Sequence, residues 1–264
     1  MELIKKLREM TGAGMVDCQK ALKEADNDLD KAVEILRKKG IAKAAKRSGR
    51  DTSEGVIKVG ISSDGSEGYV FELSSETDFV ARNEKFQAFA ESVLELVKAK
   101  RPTSLDDLLG LSLEASNVKD SLDALSGTIG EKMELRRFET ISGASVAAYS
   151  HLGGRMGVLV ALDQPGKAEL AMEVAMQVAA ANPKYISPEE VAQEEMDKEK
   201  EIYRAQLLGE GKPAEMVEKI VAGKMGKYYS EVCLLEQEYI KDEKKKVKDI
   251  LSGAKILRFV RYSL

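Results

Sequence analysis

Apolar positions in the first forty residues recur at helical spacing in three short runs. Leu3, Ile4 and Leu7 share one face over Glu2–Met10. The Thr11-Gly12-Ala13-Gly14 stretch breaks that run, since two glycines in three residues make helix continuation costly. A second run, from Met15 to about Ala25, places Cys18, Ala21 and Leu22 inward. Asn27 or Asp28 can cap a third, in which Leu29, Ala32, Val33 and Leu36 form the stripe before Gly40 stops it. From Glu54 the period changes to two. Ile57, Val59 and Ile61 alternate to one face, and Tyr69, Phe71 and Leu73 do the same after the turn Ser63-Asp64-Gly65. This hairpin leads through Ser74–Phe79 into a helix with Phe86, Phe89, Ala90, Val93 and Val97 inward.

The same order recurs. Val146–Ser150 and Val158–Leu162 flank a turn at His151–Arg155, and a helix with Leu170, Val174, Ala175 and Val178 ends at Asn182-Pro183. Helical pieces around Leu105–Leu109 and Asn117–Ile129 lie between the two units, and a strand at Met133–Ile141 closes the first. Ser187-Pro188-Glu189-Glu190 reads as a capping box with Pro at the first helical position. The polar helix it opens runs to about Leu208, and Gly209–Pro213 turns the chain into a second helix with Met216, Ile220 and Val221. Too few apolar residues lie on this pair for a place in a core, so it is expected to project as an antiparallel helical hairpin. Alternation over Lys255–Tyr262 reads as a final strand. The fold class is α+β: a three-helix N-terminal module, a duplicated hairpin-plus-helix core and a protruding hairpin. The expected units are 1–50, with a basic linker, 51–141 and 142–264, the last carrying the helical hairpin at about 188–229.

Composition narrows the function. The 264 residues, 43% hydrophobic and 33% charged, can build one or two cores with a well solvated surface. No stretch approaches the roughly 18 apolar residues of a membrane span, and no signal-peptide core follows the N-terminus. Two cysteines, Cys18 and Cys233, make neither a disulfide scaffold nor a zinc knuckle and fit a reducing cytoplasm. The net charge is −4, yet residues 1–50 carry 13 Lys/Arg against 8 Asp/Glu. The basic run Lys38–Arg50 reads as a solvated tether or as an anion-contacting arm.

Candidate chemistry is sparse. His151 is the only histidine, Cys18 occupies an apolar helix position, and neither a phosphate-binding G-x-x-x-x-G-K-[ST] loop nor a G-x-G-x-x-G turn occurs. The residues describe a binding protein with no metal, no cofactor and no catalytic residue of its own. One segment stands out: Thr77-Asp78-Phe79-Val80-Ala81-Arg82-Asn83 sets an acid beside a large aromatic at a strand-to-helix junction. Thr77, Asp78 or Asn83 can cap the helix while Phe79 packs back on Phe86. Alternatively, Asp78 and Phe79 protrude and insert into a partner.

Thr11–Cys18 followed by Ala21-Leu22, together with Thr77–Asn83, His151, Arg155, Gly157–Val160, Gly211–Pro213 and Arg258-Phe259, resembles the translation elongation factor Ts family, in the family's order along nearly the whole chain. The resemblance implies a ubiquitin-associated-like N-terminal module and a cytoplasmic guanine-nucleotide exchange factor for the GTPase elongation factor Tu, bound as the GDP complex and nucleotide-free. It places Thr77, Asp78, Phe79 and Val80 at an intrusion that dislodges the partner's Mg²⁺, Arg8, Met15 and Val16 at the N-terminal contact, and His151 at a second contact. It further implies, for some members, self-association through the helical hairpin or the core, and neither a membrane nor direct nucleic-acid contact. Val16 stands where many relatives have a second Met, the turn after His151 is one residue longer than in some, and a C-terminal helix found in some members is absent. Competing readings are a ubiquitin-associated-type adaptor and RNA binding through Lys38–Arg50; an enzyme is the weakest of all.

Overall fold

A computed structural model describes the chain apart from residues 12, 46, 48 and 115 and the side chains of residues 41 and 43–45. Gly12 of the expected first loop, and Lys46 and Ser48 of the basic linker, lie outside the described residues.

Helices α1 (Glu2–Thr11), α2 (Met15–Glu24) and α3 (Leu29–Ala45) pack around Leu7, Cys18, Ala21, Leu22 and Ala32. Asp28 caps α3, its Oδ1 accepting the Lys31 N–H at 3.1 Å. Gly40 does not stop this helix, contrary to the expectation from its residue type. It lies against the later helix over Val118–Ile129, where a Cβ on Gly127 would come within 2.4 Å of the Gly40 Cα. Two glycines let the helix backbones meet, and that contact outweighs the roughly 1 kcal/mol a helical glycine costs. The basic segment is accordingly no free tether: it is helical to Ala45, and beyond it Arg47 donates to the Ser126 carbonyl at 3.2 Å and Arg50 pairs with Glu76 at 3.1 Å.

Strands β1 (Glu54–Ile61) and β2 (Glu67–Ser75) form an antiparallel hairpin. After it come α4 (Asp78–Ala81), α5 (Glu84–Lys100), α6 (Leu105–Gly110), the short pair β3 (Ser112–Leu113) and β4 (Ser116–Asn117), and α7 (Val118–Ile129). Strand β5 (Met133–Ser142) then completes a sheet of order β1-β2-β5. The second half repeats the plan with β6 (Ser145–His151), β7 (Met156–Leu162) and α8 (Ala168–Ala181). Helices α9 (Gln193–Gly209) and α10 (Ala214–Val232), the pair β8 (Glu238–Tyr239) and β9 (Asp242–Lys246), and the single turn α11 (Val247–Ile250) follow. Strand β10 (Ile256–Ser263) closes a sheet of order β10-β7-β6, so the two sheets share one topology.

The sheets stack face to face, and this alters the reading of the strands. Clean alternation predicts one solvated face, but β2 is buried on both. Tyr69, Phe71 and Leu73 point to the helices, against Phe86, Val93 and Leu122. Val70 points the other way, joining Ile57, Ile141, Leu159 and Val260 between the sheets. Gly157 permits the close approach: a Cβ there would come within 2.6 Å of both Ile57 and Val59. On the far face of the second sheet, Val158, Val160 and Leu162 pack on Val174 and Val178 of α8. The order of layers is helix, sheet, sheet, helix.

Glu72 is the one carboxylate buried in this core region of β2. A β-bulge makes its neutralisation possible: the β2–β5 register shifts after Glu72, leaving Arg136 as the extra residue. Successive strand residues ordinarily face opposite sides, yet here Arg136 and Arg137 both reach Glu72, at 3.4 and 2.6 Å. Arg137 also lies over the Tyr262 ring at 3.9 Å, tying β5 to β10 of the other sheet.

The helical hairpin begins later than the sequence suggests. Ser187–Glu190 forms no helix-opening cap. Pro188–Glu190 make a single 3₁₀ turn, Val191 is buried, and α9 starts at Gln193, so the pair spans α9–α10 rather than 188–229. Its two helices carry a small seam of their own: Leu207, Val217, Val221, Met225 and Tyr228. Arg204 and Glu218 join them in a two-pronged ion pair at 2.6 and 2.9 Å.

Candidate partner interface

The Thr77–Asn83 segment is a corner made by two caps. Thr77 is extended, and its hydroxyl accepts the Val80 N–H at 3.4 Å to open α4. After one turn, Asn83 Oδ1 accepts the Lys85 N–H at 2.9 Å and opens α5. The Gln87 amide donates to the Ala81 carbonyl at 2.6 Å, binding the short helix to the long one. Within α4, Val80 and Ala81 pack into the first core. A helix turns about 100° per residue, so Phe79 is swung away from the face that Val80 buries. Phe79 is 83% exposed, while Val80 is only 7% exposed. Phe86 is fully buried without Phe79, so the packing of Phe79 back on Phe86 does not occur. Among the four residues Thr77–Val80, Val80 is the buried one and anchors the turn. Asp78 is half-exposed and pairs with Arg82 at 3.1 Å.

Side chains from beyond α7 hold this corner. The Glu131 carboxylate accepts the Thr77 N–H at 3.0 Å and the Thr77 hydroxyl at 2.8 Å. Glu76 accepts the Lys132 N–H at 2.5 Å and pairs with Arg50. Those two contacts, the backbone N–H foremost, hold its carboxyl below the usual range. Ser75 Oγ donates to the Thr77 carbonyl at 3.0 Å.

The β6–β7 turn arrives at the same end of the stacked sheets. His151 is exposed, stacks on Tyr149, and its Nδ1 lies 2.9 Å from the Tyr149 hydroxyl. Leu152 follows with φ of 52°, an unusual conformation for a branched side chain, and is 66% exposed. The turn rests on β1: Arg155 donates to Glu54 at 2.8 Å, and Glu54 is the register partner of Ser75, two residues before Thr77. His151 and the Asp78-Phe79 pair therefore share one end of the molecule.

Met15 and Val16 open α2 and are 54% and 62% exposed, while Arg8 is exposed on α1. A cleft of about 590 Å³ separates these helices from α5 and α7, with Met10, Gly14 and Asp17 on one wall and Lys85 and Phe89 on the other. The α1–α2 connection thus faces the first turn of α5, directly after the corner that carries Phe79. Apart from Val80, the residues expected to contact a partner are all accessible. Two residues escape sequence reasoning. Leu152 has no periodic signal, and its exposure follows from a turn conformation. Glu131 acts from 54 positions away, its one signal being that it follows Gly130, the left-handed cap of α7.

Cys18 and Cys233 are both buried, and among the described residues no group of three His, Cys, Asp or Glu could hold a metal ion. Burial, followed by the acidic neighbours Glu236, Glu189, Glu190 and Glu195, pushes the Cys233 thiol up to about 11. No helix among the described residues is long and apolar enough to cross a membrane.

Comparison with known proteins agrees along the chain. A family model described as Elongation factor TS matches residues 76–264. An elongation factor Ts of Clostridium botulinum (strain Alaska E43 / Type E3) is 47% identical over 274 aligned positions, covering 98% of this chain and 90% of the relative. One from Clostridium perfringens (strain SM101 / Type A) has the same identity and coverage, and one from Prosthecochloris aestuarii (strain DSM 271 / SK 413) is 44% identical over 99% of this chain and 96% of its own length. With identity this high over nearly every element described above, the chain belongs to the elongation factor Ts family of translation elongation factors.

Proposed function

We propose that this chain is a guanine-nucleotide exchange factor that binds elongation factor Tu, GDP-bound and nucleotide-free, in the cytoplasm and promotes GDP release without covalent chemistry of its own. One observation carries the reading: a large aromatic, Phe79, held almost fully in solvent on a turn capped at both ends. A GTPase retains its nucleotide partly through Mg²⁺ bridging phosphate and protein oxygens. Phe79 entering the partner's nucleotide-binding domain gains about 1.5–3 kcal/mol on burial. Asp78, released from Arg82, competes there for donors and, as a charge, disfavours the neighbouring phosphates. Thr77 caps the intruding turn and Val80 anchors it.

A thousandfold faster release requires about 4 kcal/mol, more than the burial of Phe79 supplies. The remainder falls to Arg8, Met15 and Val16 on a ubiquitin-associated-like N-terminal module and to His151 at the second contact. The working units are 1–50, 51–141 and 142–264, with self-association through the helical hairpin or the core as a further property. Coupling is reciprocal, so nucleotide weakens the factor's grip as much as the factor weakens nucleotide binding. The exchange then runs as a cycle.

The test is release of a fluorescent GDP from elongation factor Tu. Wild type is expected to accelerate it. Phe79→Ala is expected to lose about tenfold or more of that acceleration, the equivalent of an unburied Phe. No acceleration by the wild type rejects the proposal and returns the N-terminal adaptor to first place.

A further inference from the structure

We infer that Glu131 is a positioning residue for exchange: it sets the direction of Asp78 and Phe79 through Thr77, and so acts on the rate of release more than on partner binding. The inference rests on the exchange-factor reading.

The argument begins with the size of the element. Helix α4 is a single turn, and one turn of helix has no stability of its own, because nucleation is unfavourable. Its direction must be imposed from outside. Val80 and Ala81 fix one side by burial. The other side is the Thr77 peptide, and both of its free donors go to one carboxylate, Glu131, at 3.0 and 2.8 Å. With its hydroxyl proton committed to Glu131, Thr77 Oγ1 keeps its lone pairs for the Val80 N–H. Glu131 therefore orients the cap as well as holding the strand.

The carboxylate is itself fixed. Gly130 ends α7 in the left-handed conformation, and the Glu131 carbonyl accepts the Ser126 hydroxyl at 2.5 Å. Ser126 is buried, and its own carbonyl accepts Arg47 at 3.2 Å. The next residue repeats the arrangement, since the Lys132 N–H donates to Glu76 and its ammonium donates to the Arg50 carbonyl at 3.0 Å. Residues 131 and 132 thus grip residues 76 and 77 in adjacent pairs. Nothing in this set reaches the exposed face of Phe79, so none of it has to touch a partner in order to matter.

The experiment compares wild type with Glu131→Gln and Glu131→Asp in fluorescent-GDP release, over a range of factor concentrations. Gln keeps the size but offers one acceptor oxygen to two donors, and the lost charge-assisted bonds are among the strong ones. The expected result is a maximal release rate lowered about tenfold or more in Glu131→Gln, with the half-saturating concentration changed far less. In an Asp78→Ala/Phe79→Ala background Glu131→Gln is expected to add nothing, because neither side chain is left to aim. Glu131→Asp, which retains the charge, is expected to restore part of the rate. A wild-type maximal rate in Glu131→Gln overturns the inference. So does an equal fractional loss with and without the Asp78-Phe79 pair, which marks a purely structural role. Amide exchange of residues 77–80 in the free protein gives an independent reading: the inference expects it to quicken in Glu131→Gln, and unchanged protection overturns it. That reading stands even if wild type fails to accelerate release, an outcome that rejects the exchange-factor proposal instead.

Discussion

Phe79 and Val80 are neighbours with opposite fates, and that contrast can be measured. Val80 is packed in the first core, so Val80→Ala removes buried methyls and is expected to cost about 2 kcal/mol in denaturant unfolding. Phe79→Ala removes a side chain that touches little, and is expected to change stability by no more than about 0.5 kcal/mol. A large loss from the second would mean that Phe79 is a core residue. Residue types alone cannot separate these outcomes. A cap followed by two apolar residues fits a Phe folded back on Phe86 as well as one thrown outward, and only the packing of Val80 decides between them. Glu131 is harder still to read, since a carboxylate 54 positions away leaves no local trace of the residue it holds. The caps Thr77 and Asn83 are legible because their signal lies within a turn of themselves, whereas Met15 and Val16 enter only through the family resemblance.

Elements were legible where a local period sufficed, and not where a distant surface overrode it. The three N-terminal helices, the two hairpins and the end of α8 at Asn182 follow from spacing and cap residues. Gly40 misleads because its reason is another helix. Gly127→Ala makes the point testable: helix propensity favours Ala by about 1 kcal/mol, but the new Cβ would meet the Gly40 Cα at 2.4 Å and its carbonyl oxygen at 2.7 Å. The expected result is a net loss of about 1–3 kcal/mol, with faster amide exchange in α3. Gly223→Ala on α10, where a Cβ would meet nothing within 4 Å, is expected to raise the melting temperature instead. Strand β9 could not be read from Asp242–Lys246, a wholly charged run that an alternation test rejects.

At the scale of the whole molecule the informative fact is that the sheets face each other. Sequence shows two similar units in a row and says nothing of which faces meet, and the double burial of β2 follows only from the stacking. The helical hairpin joins this body through a polar clasp. Tyr185 and Tyr228 donate to the two oxygens of Glu195, at 2.6 and 2.5 Å, and these bonds, the Tyr185 one foremost, lower its pKa from 4.5. A carboxyl whose folded pKa is depressed adds stability that is complete above its unfolded value and is lost as pH falls through the folded one. The clasp is therefore expected to be intact at neutral pH and to loosen on acidification below about 4.5, read as amide exchange in α9 and α10 that quickens relative to the intrinsic rate at each pH. Glu195→Gln should show that loosening at neutral pH and no acid dependence of its own.

The hairpin leaves and re-enters the body at almost one point. Tyr185 and Cys233 are bridged, and the Leu234 and Leu235 N–H groups donate to the carbonyls of Tyr185 and Ile186, each at 2.9 Å. The sheet strands on either side, β7 and β10, pair with each other whatever lies between. An arm with both ends at one socket is an appendage in the engineer's sense. Its length can change by whole turns, or a short loop can replace it, without moving a strand, and its reach can be selected separately from the fold that carries it.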